Sequence, residues 1–187
     1  MARTITPAAF TVYKYDELTG QAKERAVREI SERLNGDWWD DGDVERLREA
    51  IRYAFAGALK SPGWDTFGEG DFPGIANVDL VGFDLERGQS VEFKGVLTRE
   101  NAPALPWIDE VTEVYLSHEG LAVYIYAAED VSTVAIETAV KDAMRKAWQA
   151  GYDENAYMES DEYTQDWIEA NGPEFHANGR FYAARTD

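Results

Sequence analysis

The chain reads as an α+β protein, a mostly antiparallel sheet of four to five strands with amphipathic helices packed on one face. Three observations predict this. Two pairs of strand-like segments are each joined by a short glycine-containing turn, and four further segments repeat apolar residues three and four apart. The order is helix, helix, four strands, helix, helix, strand, which lets hairpins rather than helical crossovers join the strands. A length of 187 residues suffices for a single domain spanning 1–187, with no repeat, low-complexity stretch or linker in view.

Ala9 to Tyr15 is β-prone and short. In the first helix Thr19 is a candidate N-cap, Leu18, Ala22, Ala26, Ile30 and Leu34 share one face, and Asn35-Gly36 stops it. On its outer face Arg25–Glu29 and Glu29–Arg33 stand four apart, the spacing of weak ion pairs. The second helix starts from Asp43 as N-cap, carries Val44, Leu47, Ile51, Phe55 and Leu59 as its apolar stripe, and ends at Ser61-Pro62-Gly63. The stretch Trp64 to Gly74 is rich in Gly and Asp yet holds Trp64, Phe67 and Phe72, so it reads as an ordered loop pinned by aromatics.

Strands at 78–85 and 90–97 flank the turn Glu86-Arg87-Gly88-Gln89. Val91, Phe93 and Leu97 alternate with Ser90, Glu92 and Lys94, the two-residue period of a half-buried strand. A proline-marked crossover, Ala102 to Trp107, leads to a second hairpin of 111–118 and 121–127 around Glu119-Gly120. The third helix is capped by Asp130 or Ser132, with Ile136, Val140, Met144 (with Ala143) and Ala147 as its stripe and Trp148 beside it; it continues past Gly151 or breaks there. The first three helices are expected to pack on the sheet. A shorter helix starts at Ser160, with Asp161 and Glu162 in the first turn where the helix dipole favours them. Its inward residues are Tyr163, Trp167 and Ile168, and Asn171-Gly172-Pro173 stops it. Glu174 to Ala184 forms a strand pair or strand-turn around Asn178-Gly179.

Composition narrows the function. There is no cysteine, which excludes disulfides, thiolate catalysis and cysteine zinc sites and fits a reducing, cytoplasmic compartment. Acidic residues number 36 against 18 basic ones, a formal net charge of −18. Such a surface repels nucleic acid and anionic membranes and attracts basic partners. No apolar run reaches membrane-spanning length, and the first residues lack the apolar core of a signal peptide.

No constellation points to catalysis. The two histidines, His118 and His176, lack metal-ligand spacing, and the serines lie in cap, strand or turn contexts without a nucleophile elbow. Gly68-Glu69-Gly70-Asp71 has the wrong flanks and charge for a phosphate loop. Asp37, Asp40, Asp41 and Asp43 lack the order of an EF-hand and read as a solvated acidic cap. The expectation is a binding protein, not an enzyme, with no metal and no cofactor.

Charge layout supplies the candidate surface. From Ala147 to Gly179 there is no Lys or Arg, while Asp153, Glu154, Glu159, Asp161, Glu162, Asp166, Glu169 and Glu174 all fall there, interleaved with Tyr152, Tyr157, Tyr163 and Trp167. Like charges held together oppose folding, so an array of this kind suits a basic groove, as in mimicry of nucleic acid; the plainer account is a solvated helical face with the tyrosines packed inward. The candidate partner-binding residues are Asp153, Glu154, Glu159, Asp161, Glu162, Asp166 and Glu169. An alternative is a small-ligand pocket for a nucleotide signal, lined by Trp64, Phe67, Phe72, Arg87 and Trp107, with Lys94 and Arg99 as the other nearby basic residues.

The chain resembles a family of tailed-phage proteins often labelled "antitoxin of toxin–antitoxin stability system". The matching pieces come in family order. They are Tyr15-Asp16-Glu17-Leu18 leading into Ala22-Lys23-Glu24-Arg25-Ala26, and Trp38-Trp39-Asp40 before a helix. Gly82-Phe83 and Phe93-Lys94-Gly95 follow in a hairpin, then Ser160-Asp161-Glu162, Ile168-Glu169-Ala170-Asn171, Glu174-Phe175 and Gly179-Arg180. The first-hairpin turn departs from the family, whose turns are rich in Gln, Gly and Asp; here it runs Asp84 to Ser90 and is one residue longer. The resemblance implies a phage origin and a host-cytoplasmic protein that binds a host or defence-system protein.

Overall fold

The computed structural model describes residues 11–36, 41–63, 75–117, 123–125 and 132–183. The aromatic loop 64–74 with Trp64, Phe67 and Phe72, the Trp38-Trp39-Asp40 cluster, His118, the Glu119-Gly120 turn and Asp130 lie outside these residues. In chain order the elements are α1 (Gln21–Gly36), α2 (Asp41–Leu59), β1 (Val78–Asp84), β2 (Ser90–Thr98), β3 (Glu113–Leu116), β4 (Val123–Ile125), α3 (Val134–Met158) and α4 (Asp161–Asn171). The contacts divide the chain into two compact units. One combines Met1–Asp40 with Ala156–Asp187, and the other is the continuous segment Asp41–Asn155.

The continuous unit holds the sheet. Its strands lie in the order β1-β2-β3-β4 and every neighbouring pair is antiparallel, so the α+β class read from the hairpins holds. At the first turn the Asp84 carboxylate accepts the backbone N–H groups of Glu86 at 3.0 Å and Arg87 at 2.9 Å, which closes the turn. The register of β1 on β2 slips between Leu80 and Gly82, a bulge that leaves Val81 exposed. Leu80, Val91, Phe93, Leu97, Val114 and Leu116 are buried on one face, whereas Tyr115 and Tyr124, paired across β3 and β4, stand exposed on the other.

Helices cover the buried face. Leu47, Ile51, Phe55 and Leu59 of α2 are buried as its spacing predicts, and Phe55 stacks on Phe93 of β2 with ring centroids 3.9 Å apart. The helix begins at Asp41, one half-turn before the expected Asp43. It ends where Lys60 takes φ 51 and the Ser61 N–H returns to the Ala56 carbonyl at 3.0 Å. In α3 the stripe Ile136, Val140, Ala143, Met144 and Ala147 is buried. Its first bond is from the Glu137 N–H to the Thr133 carbonyl, one residue beyond Ser132. The helix does not break at Gly151; an added Cβ there would stand 2.7 Å from Ile51 Cγ1, so the glycine is a point of close helix approach.

The other unit is built from both ends of the chain, and here the expectation for the first helix needs correction. The apolar face of α1 is covered within this unit. Ala26, Val27 and Ile30 pack with Leu18, Ile168 of α4 and Phe175, and Tyr13, Trp167 and Phe181 close around them. The cause is a returning C-terminal segment: Phe175 forms antiparallel bridges to both Tyr13 and Phe181. Within the described part of the β-prone N-terminal stretch Tyr13 forms the bridge, followed by a 3-10 turn at Tyr15–Glu17. The helix itself starts at Gln21, with Thr19 and Gly20 supplying backbone carbonyls to Ala22 and Lys23 rather than a side-chain cap at Thr19.

Candidate functional site

The acidic surface is positioned by α4, whose ends were legible in the sequence. Ser160 Oγ accepts the Tyr163 N–H at 3.1 Å, which satisfies a helix-terminal donor. At the other end Gly172, at φ 57, returns its N–H to the Ile168 carbonyl at 2.9 Å. Between these caps Thr164 and Ile168 are buried, and Tyr163 and Trp167 are half-buried. With 3.6 residues per turn, Glu162, Asp166 and Glu169 fall on the face opposite Thr164 and Ile168, and all three are exposed. Asp161 sits on the flank, lining a groove with Lys23, Arg28 and Gln165.

Among the described residues Asp161, Glu162, Asp166 and Glu169 form no ion pair. Asp166 is held by a neutral donor, the Tyr157 hydroxyl at 2.5 Å, and the Tyr157 ring meets Tyr163 edge-on at 5.5 Å. Two causes raise the pKa of Tyr15 above its ordinary value: burial first, then the negative charge of Glu169.

The seven candidate acids are divided between the two compact units. Glu159, Asp161, Glu162, Asp166 and Glu169 belong to the unit built from the chain ends, and Asp153 and Glu154 belong to the continuous unit. Asp153 accepts a hydrogen bond from Gln149 Nε2 at 2.8 Å. Glu154 pairs with Arg46 of α2, a base remote in sequence. The reason is that α2 and α3 run antiparallel: Ile51 meets Gly151, so Arg46 earlier in α2 meets Glu154 later in α3. Of the seven, Asp161, Glu162, Asp166 and Glu169 share α4.

Comparison with models of protein families, with curated proteins and with solved structures gave no match. The functional reading rests accordingly on the residues themselves.

The alternative ligand pocket is not assembled by the described residues. Arg87 lies in the exposed turn at one end of β2, and Trp107 lies beyond its other end, where Arg99 ties back to the Ile108 carbonyl at 2.7 Å. At about 3.3 Å per residue the intervening strand holds these ends roughly 26 Å apart. Trp107 spends its indole N–H on the Ala102 carbonyl at 2.8 Å, which braces the crossover. Trp64, Phe67 and Phe72 lie outside the described residues.

Among the described residues no three His, Asp or Glu side chains converge as a metal site, and no helix is long and apolar enough to cross a membrane. His176 is half-buried with its ring edge-on to Tyr182 at 5.6 Å. Sequence reasoning missed a second groove, of about 460 Å3, lined by Arg25, Arg28, Glu29, Glu32, Arg33 and Arg180. The local signal was present, since Arg25, Arg28 and Arg33 outnumber the glutamates on one side of α1, but the same spacing also predicts two weak ion pairs. Of the two pairs expected, Glu29–Arg33 forms, at 3.9 Å, and Arg25–Glu29 does not.

Proposed function

We propose that the protein is a phage-type accessory protein that acts by binding rather than by catalysis. In this reading the outward face of α4 engages a basic surface on a host or defence-system protein in the host cytoplasm. The observation that carries the reading is the row Glu162, Asp166 and Glu169, exposed opposite the helix's buried face and without a cation among the described residues. A helix that needed those positions only for solubility would gain from mixed charges, which relieve self-repulsion. The resemblance of the sequence motifs, in their order, to those of a tailed-phage family supports the setting.

The experiment is a pull-down from host lysate with the wild-type chain and with Glu162, Asp166 and Glu169 all changed to lysine. The expected result is capture of a basic protein, lost in the reversed variant and weakened by salt, because exposed charges are screened over about 8 Å at physiological ionic strength. Glu49→Lys, on the exposed side of α2, should bind as the wild type does. Equal capture by the reversed variant would return the acidity to a solubility role.

A further inference from the structure

The unit built from the chain ends carries a group of cations that the acidic face does not use. Arg25, Arg28 and Arg33 follow one side of α1, and Arg180 joins them from the C-terminal turn to line the groove of about 460 Å3. The fold fixes where Arg180 stands. Gly179, at φ 82, lies so close to the first turn of α1 that an added Cβ would stand 2.1 Å from the Ala22 carbonyl oxygen. The turn is closed by the Gly179 N–H on the His176 carbonyl and the His176 N–H on the Arg180 carbonyl, both at 2.8 Å. Next to it Arg33 lies 4.6 Å over the Phe181 ring.

The pairing of these arginines is incomplete in a chain with twice as many acidic as basic residues. Arg33 reaches Glu29 only at 3.9 Å. The guanidinium groups of Arg25, Arg28 and Arg180 make no hydrogen bond or ion pair among the described residues, and Arg25 is half-buried. A guanidinium cannot shed its charge in this environment, and Glu29 and Glu32 offset only part of the charge of the four arginines lining the groove. Its planar fork matches pairs of phosphate oxygens.

We propose that this groove binds a compact polyphosphate, with Arg25, Arg28 and Arg180 holding the phosphate oxygens. The groove falls in the size range of small-molecule sites, roughly 300–1,000 Å3. A long nucleic acid fits poorly, because Glu29 and Glu32 share the groove and the rest of a chain of net charge −18 would repel the flanking phosphates. This site does not rest on the α4 reading, and either can fail without the other.

The test is calorimetric titration of the full chain with inorganic triphosphate, a nucleoside triphosphate and a short single-stranded oligonucleotide. Both triphosphates should bind, and the oligonucleotide more weakly than either. Equal binding of the two triphosphates assigns the ligand to polyphosphate alone, and tighter binding of the nucleoside form assigns it to nucleotides; both support the site. The double variant Arg25→Gln/Arg180→Gln should lose at least roughly tenfold in affinity, since each charge-assisted bond removed contributes appreciably. Arg145→Gln, exposed on α3, should match the wild type. Circular dichroism of each variant checks that the fold is kept. Absence of triphosphate binding at millimolar concentration, unchanged affinity in the folded double variant, or tighter binding of the oligonucleotide would overturn the proposal.

Discussion

Replacing Gly151 by alanine sets two opposing effects against each other. Inside a helix alanine is favoured over glycine by about 1 kcal/mol, because glycine loses more backbone freedom on folding. At this position, however, the new methyl would stand 2.7 Å from Ile51 Cγ1, 2.9 Å from Ile51 Cδ1 and 3.2 Å from Leu85 Cδ2. Ile51 is fully buried and Leu85 nearly so, which leaves neither room to swing away. Overpacking of a closed core costs about 1–3 kcal/mol. The packing penalty therefore wins, and Gly151→Ala should lower stability by about 1 kcal/mol, the difference between these ranges. The sign should reverse once Ile51 is Ala. That substitution alone costs about 2–5 kcal/mol, but it opens the space the new methyl needs. In the Ile51→Ala background Gly151→Ala should then recover about 1 kcal/mol of helix preference. Urea unfolding of the four proteins, followed by far-UV circular dichroism, measures the cycle. A gain in stability in the wild-type background, or the same loss in both backgrounds, would refute the claim that close helix approach selects glycine here.

Gly179→Ala should cost more than about 2 kcal/mol, since positive φ and a backbone clash with the Ala22 carbonyl combine, and thermal unfolding would show it. Ser160→Ala should cost about 1 kcal/mol through loss of the bond to the Tyr163 N–H, with Ser160→Asp close to wild type in the same assay. Asp84 has its pKa lowered below the ordinary 3.8, chiefly by the backbone N–H of Arg87, then those of Gly88 and Glu86. A depressed carboxylate contributes stability that is present above its unfolded pKa and is lost as pH falls through the folded value. Urea midpoints should therefore drop more steeply with acid below about pH 4 in the wild type than in Asp84→Asn.

What could be read from the sequence was local. The Ser160 cap, the Gly172 stop, the first hairpin and the stripe of α2 each follow from residues within a few positions of one another, and each stands where the spacing places it. What could not be read depends on partners far along the chain. The side chain that selects glycine at 151 is Ile51, and the residue that turns Tyr13 into a bridge is Phe175. The acidic segment was legible as composition, but its division was not, because Arg46 reaches Glu154 only through the antiparallel packing of α2 on α3. For the same reason the arginine groove was hidden: Arg180 is remote in sequence from α1, and the expected Arg25–Glu29 pair concealed the excess charge.

The discontinuous unit also orders events during synthesis. Its core joins Ala26, Val27 and Ile30 to Ile168 and Phe175, so the N-terminal helix is made long before the residues that cover it. The intervening segment Asp41–Asn155 has all its strands and most of its helical cover in hand earlier. Domains fold as units while the chain emerges. The nascent α1 must therefore wait with its apolar face uncovered, exposed to chaperones or to neighbouring chains, until translation has passed Phe175. A stop codon shortly before that residue would leave the N-terminal helix without its lid.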